Sequence, residues 1–408
     1  MVWLHLMKEI VMPRLSLVLI MLILSSEAYC AELSGYLKTY AVIQKEKDLD
    51  VIEVPKMDLL QTTLRLKIES KGERSAWEIH YELNTVNSSR RLSSYVLPGS
   101  SDEILPVERT YRYNDLNREI SKDDQYSLQQ NLDRLNIQLQ LDSGDLTLGR
   151  QAISLGTSRF VNPMDVFLPF DLRALNTEYR PGIDAIRFQK PLGNLGELDV
   201  GWVFGRDGEK QNSAAYAKLS RRFRGQDFQI TFVNTESLLL VGAGIQGAVG
   251  NSGYWLEIAN ISGDDDYTRI SIGLDHAFTD NIYFMTEYHY NGIGTTSPEK
   301  YFEQYERDAY QEHGVFLLGE QYLASSLSVQ ISPVTIVGLQ MLYNLDDRSA
   351  FTALSIERHL TDDLYLDLGY YRFLGDKKLV FSEKNVAVPT SEYGLNPDMA
   401  YISLRYYF

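Results

Sequence analysis

Apolar and charged side chains alternate with a period of two along much of this chain, and that limits the fold more than any motif does. Trp77, Ile79, Tyr81 and Leu83 alternate with Glu78, His80, Glu82 and Asn84. Leu135, Ile137, Leu139 and Leu141 alternate with Arg134, Asn136, Gln138 and Gln140, and Leu64, Leu66 and Ile68 with Arg65, Lys67 and Glu69. Successive side chains of a strand point to opposite faces, so these runs are strands with one apolar and one polar face. In water the apolar faces need a second sheet to cover them. In lipid they need none, provided the sheet closes on itself and the polar faces line the inside. Composition favours lipid. Mean hydropathy is −0.23, no apolar run long enough for a spanning helix follows residue 24, and aromatics reach 12% with 27 Tyr. A transmembrane barrel stays polar on average because its apolar surface occupies alternate positions.

The same pattern predicts strands near 32–43, 59–69, 75–85, 132–142, 145–153, 182–190, 196–205, 213–222 and 227–235. Others follow near 237–247, 254–261, 268–277, 282–290, 319–331, 334–344, 350–360, 364–374 and 399–408. Short connectors (142–145, 223–227, 278–281, 332–333, 361–363) fall on one side of the hairpin series. The long ones (44–58, 86–131, 154–181, 291–318, 375–398) fall on the other, as outer-membrane barrels arrange their turns and loops. The expected fold is all-β, a transmembrane antiparallel β-barrel of about 18 strands (16–18), with the third outer loop folded inward.

The ends suggest an address. Leu15 to Leu24 form an apolar run behind Pro13-Arg14, too short to span a bilayer and right for the h-region of a secretory signal. Met1, Met7 and Met12 all offer a start. Residues 1–31 are expected to be removed, leaving 32–408 as one barrel domain. Cys30 is the only cysteine, which excludes an intramolecular disulfide and a thiol metal site. The chain finishes on the alternating strand Tyr401 to Phe408, and a terminal Phe there resembles the assembly signal of bacterial outer-membrane barrels. The barrel-assembly machinery and outer-membrane lipid and lipopolysaccharide are then the expected partners. The net charge of −16 argues against nucleic acid.

The most distinctive stretch runs Gly149-Arg150-Gln151, through Asn162-Pro163-Met164-Asp165 and Pro169-Phe170-Asp171, to Arg180-Pro181-Gly182-Ile183-Asp184. Over about 149–188 it resembles the alginate-export and related porin-like barrels. The resemblance implies a channel built as an 18-stranded barrel, for which small hydrophilic solutes are the expected cargo. Residues 154–181 read as an ordered loop. Pro163, Pro169 and Pro181 restrict the backbone, and Phe160, Val166, Phe167, Leu168 and Phe170 need something to pack against. Either the loop folds inward and narrows the lumen, or it packs outside as a lid or on the rim. Its charges balance, Arg159, Arg173 and Arg180 against Asp165, Asp171 and Glu178. Opposed charges across a constriction filter by field as well as by size.

Inward strand positions add Arg65, Lys67, Arg134, Arg187 and Arg405, and also Glu69, Glu78, Glu82, Glu287 and Glu357. The mixture selects neither anions nor cations, whereas a pore for a polyanion should be more uniformly basic. Strict alternation puts Arg150 on the lipid face. Either the strand ends there, or Gly149 marks a bulge that turns Arg150 inward. Tyr36, Tyr40, Trp77, Tyr81, Trp202, Trp255, Tyr288, Tyr290, Tyr406 and Phe408 are the expected interfacial aromatics.

No catalytic residues, cofactor or metal are assigned. His289-Tyr290-Asn291-Gly292 resembles the motif of outer-membrane phospholipases but lacks its serine, and a Ser–His pair elsewhere stays open. Asp264-Asp265-Asp266 is either a solvated loop or a calcium ligand set. The competing readings are a substrate-specific export or uptake channel, a plugged or enzymatic barrel, and a soluble β-sandwich.

Overall fold

Eighteen antiparallel strands, each hydrogen-bonded to its neighbours in sequence, close into one ring. The computed structural model describes residues 31–49, 53–92, 111–167, 175, 178–210, 213–381 and 387–408. The export segment through Cys30, and Asp171 and Arg173 of the third loop, lie outside the described residues.

The first nine strands are β1 (Glu32–Gln44), β2 (Met57–Lys71), β3 (Ser75–Ser88), β4 (Tyr126–Leu141), β5 (Gly144–Gln151), β6 (Ile183–Pro191), β7 (Gly196–Val203), β8 (Ala214–Phe223) and β9 (Gln226–Asn234). The second nine are β10 (Leu238–Val249), β11 (Ser252–Gly263), β12 (Tyr267–Thr279), β13 (Ile282–Asn291), β14 (Gln321–Ser332), β15 (Thr335–Asn344), β16 (Ala350–His359), β17 (Leu364–Leu374) and β18 (Met399–Tyr407). All eighteen correspond to strands expected from the alternation. β18 pairs with β1 from Tyr36↔Tyr407 to Gln44↔Met399, which removes both sheet edges. Just beyond that register, the Phe408 amide donates to the Gly35 carbonyl at 3.1 Å.

Every connection at one end of the ring is a turn of a few residues, such as 72–74, 142–143 and 250–251. The other end carries the long connectors 89–125, 152–182, 292–320 and 375–398, beside three-residue links at 235–237 and 264–266. The outward set is an apolar belt that includes Leu60, Ile186, Phe232, Val241, Ile272 and Leu354, all exposed. Such a face is stable only against lipid. The inward set carries the polar side chains, most of them buried because long loops fold back into the ring.

Three departures from simple alternation matter. First, β4 begins six residues before the expected strand, its added residues pairing with β3 on one side and with Arg118–Asp123 on the other. Second, Tyr81 pairs with Leu132 and His80 with Arg134, so Asp133 is an extra residue in β4. This bulge lets Asp133 and Arg134 both reach the interior. Third, β5 ends one residue past Arg150, at Gln151, as the first of the two expected solutions has it, and Gly149 marks no bulge. The β4–β5 register continues without a shift through Gly149↔Asn136 and Arg150↔Leu135, and Arg150 stays in the outward set. Its guanidinium pairs with Asp184 of β6 at 2.8 and 2.9 Å and donates to the Asn114 carbonyl at 2.6 Å. The Tyr113 amide closes over the same carboxylate at 2.9 Å. Gly149 is required for a different reason. Its φ is +111°, and a Cβ there would lie 2.3 Å from the Leu135 carbonyl oxygen.

The aromatic assignment needs a correction. Trp77, Tyr81, Trp202, Tyr288, Tyr290 and Tyr406 belong to outward-facing positions, whereas Tyr36, Tyr40 and Trp255 are buried inside the ring. Tyr36 and Tyr40 share their strand face with Lys38, and Trp255 shares its own with Glu257.

Candidate functional site

The third connector is held at both of its ends by charged groups on the inner wall. Beyond β5 the chain turns inward. Thr157 and Ser158 donate their backbone amides to Glu257 of β11, and the Thr157 hydroxyl joins them at 2.6 Å. The amides of Arg159, Phe160 and Val161 donate to Glu287 of β13 at 3.0, 3.4 and 2.8 Å. Trp255 Nε1 holds the same carboxylate at 2.7 Å. Two buried carboxylates therefore stand in for the partners that five consecutive loop amides would otherwise lack. Around them, Ser271 Oγ donates to the Val161 carbonyl at 2.7 Å, and Gln229 reaches the Leu155 carbonyl. In the turn itself the Met164 amide donates to Asn162 Oδ1 at 3.0 Å, and Arg180 binds Asp165 at 2.7 Å.

The far end of the same loop lies against another wall. Glu178 receives Lys38 of β1 at 2.6 Å, the Tyr407 hydroxyl of β18 at 2.7 Å, and Arg405. Tyr179 lies beneath Arg65 of β2, with the guanidinium 3.4 Å from the ring centroid, and its hydroxyl meets His80 Nδ1 of β3 at 2.5 Å. β11 and β2 stand nine strands apart in the ring of eighteen. The loop thus reaches opposite sides of the interior.

Around that chord the wall charges form networks. Asp133, fully buried, takes Arg112 at 2.8 Å and both Arg65 and Arg134 at 3.2 Å. Arg65 also binds Glu82, and Arg134 Nε lies 3.8 Å from Glu78. Arg405 binds Asp367 at 2.6 Å and also Glu357. Asp199 takes Arg187 at 2.7 Å, Lys218 at 3.5 Å and the Tyr216 hydroxyl at 2.9 Å. Lys67 has no carboxylate partner among the described residues. Arg159 stacks near Trp255, 5.6 Å from its ring. A cavity of about 720 Å³ lies beside these networks toward the short-turn end, lined among others by Glu69, Glu78, His80, Arg134, Tyr179 and Arg187.

The candidates Arg65, Lys67, Glu78, Glu82, Arg134, Arg187, Glu287, Glu357 and Arg405 therefore all sit on the inner face. Of the loop candidates, Asp165 and Arg180 form one pair, and Glu178 joins the opposite wall. The sequence reading missed Lys38, Arg112, Asp133, Tyr179 and Glu257. Asp133 had a legible signal, since Leu132 and Leu135 face outward three residues apart and so imply a bulge. Arg112 had none.

The open question of a Ser–His pair has three answers among the described residues: Ser252 Oγ lies 2.8 Å from His276 Nδ1 beside a short turn, Ser237 Oγ 3.1 Å from His313 Nε2 at the long-loop end, and on the inner wall Ser271 Oγ lies 2.8 Å from Nδ1 of its neighbour His289. Ser271 and His289 are fully buried behind the loop, and the serine proton is directed at the Val161 carbonyl. That geometry positions a loop and offers no exposed nucleophile. Asp265 is taken by Arg307 at 2.6 Å, which draws the 264–266 link into an ion pair with the 292–320 loop. In that loop, burial pushes the His313 imidazole below its ordinary value, against the opposing pull of Asp308, Asp264 and Asp265.

No protein-family model matches the sequence, and no curated protein does. Solved structures match the architecture. OccAB4 of Acinetobacter baumannii aligns with a TM-score of 0.57 over 93% of this chain and 98% of its own, at 12% identity. OccAB2 of the same organism gives 0.56 with the same coverage at 10% identity. OccK8 (OprE) of Pseudomonas aeruginosa gives 0.55, again with that coverage, at 9% identity. The fold is that of a porin-like, closed antiparallel β-barrel of eighteen strands. Identities this low carry the architecture alone, and nothing in them singles out the alginate-export barrels. In outer-membrane barrels of this architecture the short turns face the periplasm and the long loops the outside.

Proposed function

We propose that this protein is an outer-membrane channel for small hydrophilic solutes, narrowed by its third loop. The observation that carries the reading is the loop's double attachment, to Glu257 and Glu287 on one side and to Lys38, Arg65, His80 and Arg405 on the other. A segment fixed in this way occupies cross-section that an open ring of eighteen strands would leave to water. Asp165, Glu178, Arg159 and Arg180 then supply the local field, and Arg65, Lys67, Glu78, Glu82, Arg134, Arg187, Glu357 and Arg405 line the path. Pairing of most inner-wall cations with carboxylates supports a weakly selective channel for polar solutes. It speaks against the narrower alginate-export reading, because a polyanion would meet no continuous basic surface.

A second reading has its own observation. The long-loop half of the interior holds two apolar clusters, one around Phe160, Leu317, Tyr322 and Phe351, the other around Ile153, Met164, Leu240 and Val315. Packing of that kind also suits a plugged barrel. Planar-bilayer recording of the refolded mature chain separates the two. The channel reading expects discrete conductance steps, and a larger step when residues 157–176 are replaced by a short Gly-Ser link. Absence of steps in both proteins establishes the plugged barrel. Steps of equal size place the loop outside the conduction path.

A further inference from the structure

We propose that Glu69, Glu78 and His80 form a binding site for a divalent transition-metal ion of the zinc type, on the inner wall near the periplasmic turns. Glu69 of β2 and Glu78 of β3 are directly opposite in the register, both on the inner face. Like charges directly across a ladder repel, so the pair calls for a positive partner between them. His80 lies two residues along β3 on the same face and is only 5% exposed. The Tyr179 hydroxyl holds its Nδ1 at 2.5 Å, which fixes the ring and turns Nε2 toward both carboxylates. Nε2 is 2.8 Å from Glu69 Oε1 and 3.7 Å from Glu78 Oε2. The other Glu78 oxygen is already held by Asn136 Nδ2 at 2.6 Å, so the carboxylate is itself oriented.

The three donor atoms lie within 4.8 Å of one another. Metal bonds of about 2.0–2.2 Å place neighbouring ligand atoms roughly 3–3.5 Å apart. Glu69, whose side chain is half exposed, has to move to reach that geometry, and the 3.7 Å between Nε2 and Glu78 has to close slightly. The remaining coordination positions open into the 720 Å³ cavity, where water completes the shell. One imidazole nitrogen with two carboxylate oxygens suits zinc, cobalt or nickel, and it disfavours magnesium and calcium, which prefer all-oxygen shells. Two cations oppose binding. Arg134 approaches the Glu78 oxygen that Asn136 already holds, and Lys67 faces His80 across the ladder. The competing occupant of the same space is the proton, in the form of a charged His80 bridging the two carboxylates.

The test needs no conduction, so its outcome is independent of the channel reading. The mature barrel is purified without a polyhistidine tag in a His276→Gln, His313→Gln, His359→Gln background, which removes the other histidines near carboxylates or turns. Cobalt absorption and zinc competition against a chromophoric chelator then report affinity and stoichiometry. One zinc per barrel is expected, with affinity falling at least about tenfold in Glu69→Gln and in Tyr179→Phe and further in His80→Gln. Excess magnesium should not displace it. Retained heat-dependent gel mobility shows that each variant is folded, and Tyr179→Phe keeps the ligands intact if His80→Gln does not fold. Equal zinc affinity in all three variants, or zinc binding no tighter than magnesium, overturns the site and leaves His80 as a protonated bridge.

Discussion

Glu287→Gln should release the third loop without opening the barrel. In the wild type one buried carboxylate accepts the amides of Arg159, Phe160 and Val161 and the indole N–H of Trp255. Glutamine has the same shape but offers one acceptor oxygen and two donor hydrogens. If its oxygen faces Trp255, Arg159 and Phe160, its amide nitrogen confronts the Val161 N–H, and that bond is lost outright. Losing a bond to a charged group costs about 1.5–3 kcal/mol. The surviving bonds drop from charge-assisted to neutral strength, roughly half. A total near 4–7 kcal/mol follows, which corresponds to about 10³–10⁵ in the equilibrium for loop opening. Hydrogen exchange followed by mass spectrometry on a peptide covering 157–165 reads this directly. Exchange there should accelerate by that factor, while peptides in β2 and β3, on the opposite wall, keep their protection. Loop exchange unchanged within threefold would refute the reasoning that this carboxylate holds the loop. Acceleration across the whole ring would show that Glu287 supports the barrel instead.

Gly273→Ala should produce a milder version of the same release. A Cβ there would lie 2.2 Å from the Trp255 ring, so the indole must leave Glu287, and exchange at 159–161 should rise about tenfold, as overpacking of 1–3 kcal/mol implies. Arginine at Ile137, on the outer face, should cost about 2–4 kcal/mol in reversible unfolding from lipid, whereas arginine at Gln138, on the inner face, should cost little. Equal losses at the two positions would contradict the register of β4. For the 292–320 loop the sign with pH follows from His313, whose folded value is depressed. Its contribution is present above an ordinary histidine value of about 6.5 and is lost as pH falls through the lower folded value. Protonation places a charge on an imidazole that is buried beside Ser237 Oγ, 3.1 Å from Nε2, so protease nicking near 300–312 should rise between pH 7.5 and 5. In His313→Gln that pH dependence should vanish.

The ring itself was legible because strand faces repeat every two residues, and the repeat survives wherever the outer face meets lipid. Leu64-Arg65-Leu66-Lys67 needs no tertiary information to be read. Legibility failed where both faces are apolar. Along β11, Trp255, Ala259 and Ile261 face inward while Leu256 and Ile258 face out, so the hydrophobic pattern does not say which way Trp255 points. It failed again where one chain segment supplies the reason for another. Arg150 looks misplaced on a lipid face until residues 113–114, far away in sequence, close over its pair with Asp184. The loop's partners were half visible. Glu287 could be assigned to the interior, but its role comes from three backbone amides, and backbone amides carry no sequence signature.

Closure of the ring has a thermodynamic consequence of its own. The seam between β1 and β18 joins residues about 370 apart, and bringing such distant segments together costs roughly 5 kcal/mol of chain entropy before any ladder bond forms. Until the seam forms, the sheet has two open edges, each a row of unpaired amides and carbonyls. Lipid offers those groups no partner, and water offers no cover for the apolar belt. A half-built sheet is therefore unstable in either solvent alone. The path to the finished barrel must either bring the seam together at the interface between the two, or lend the open edges a borrowed strand until they find each other.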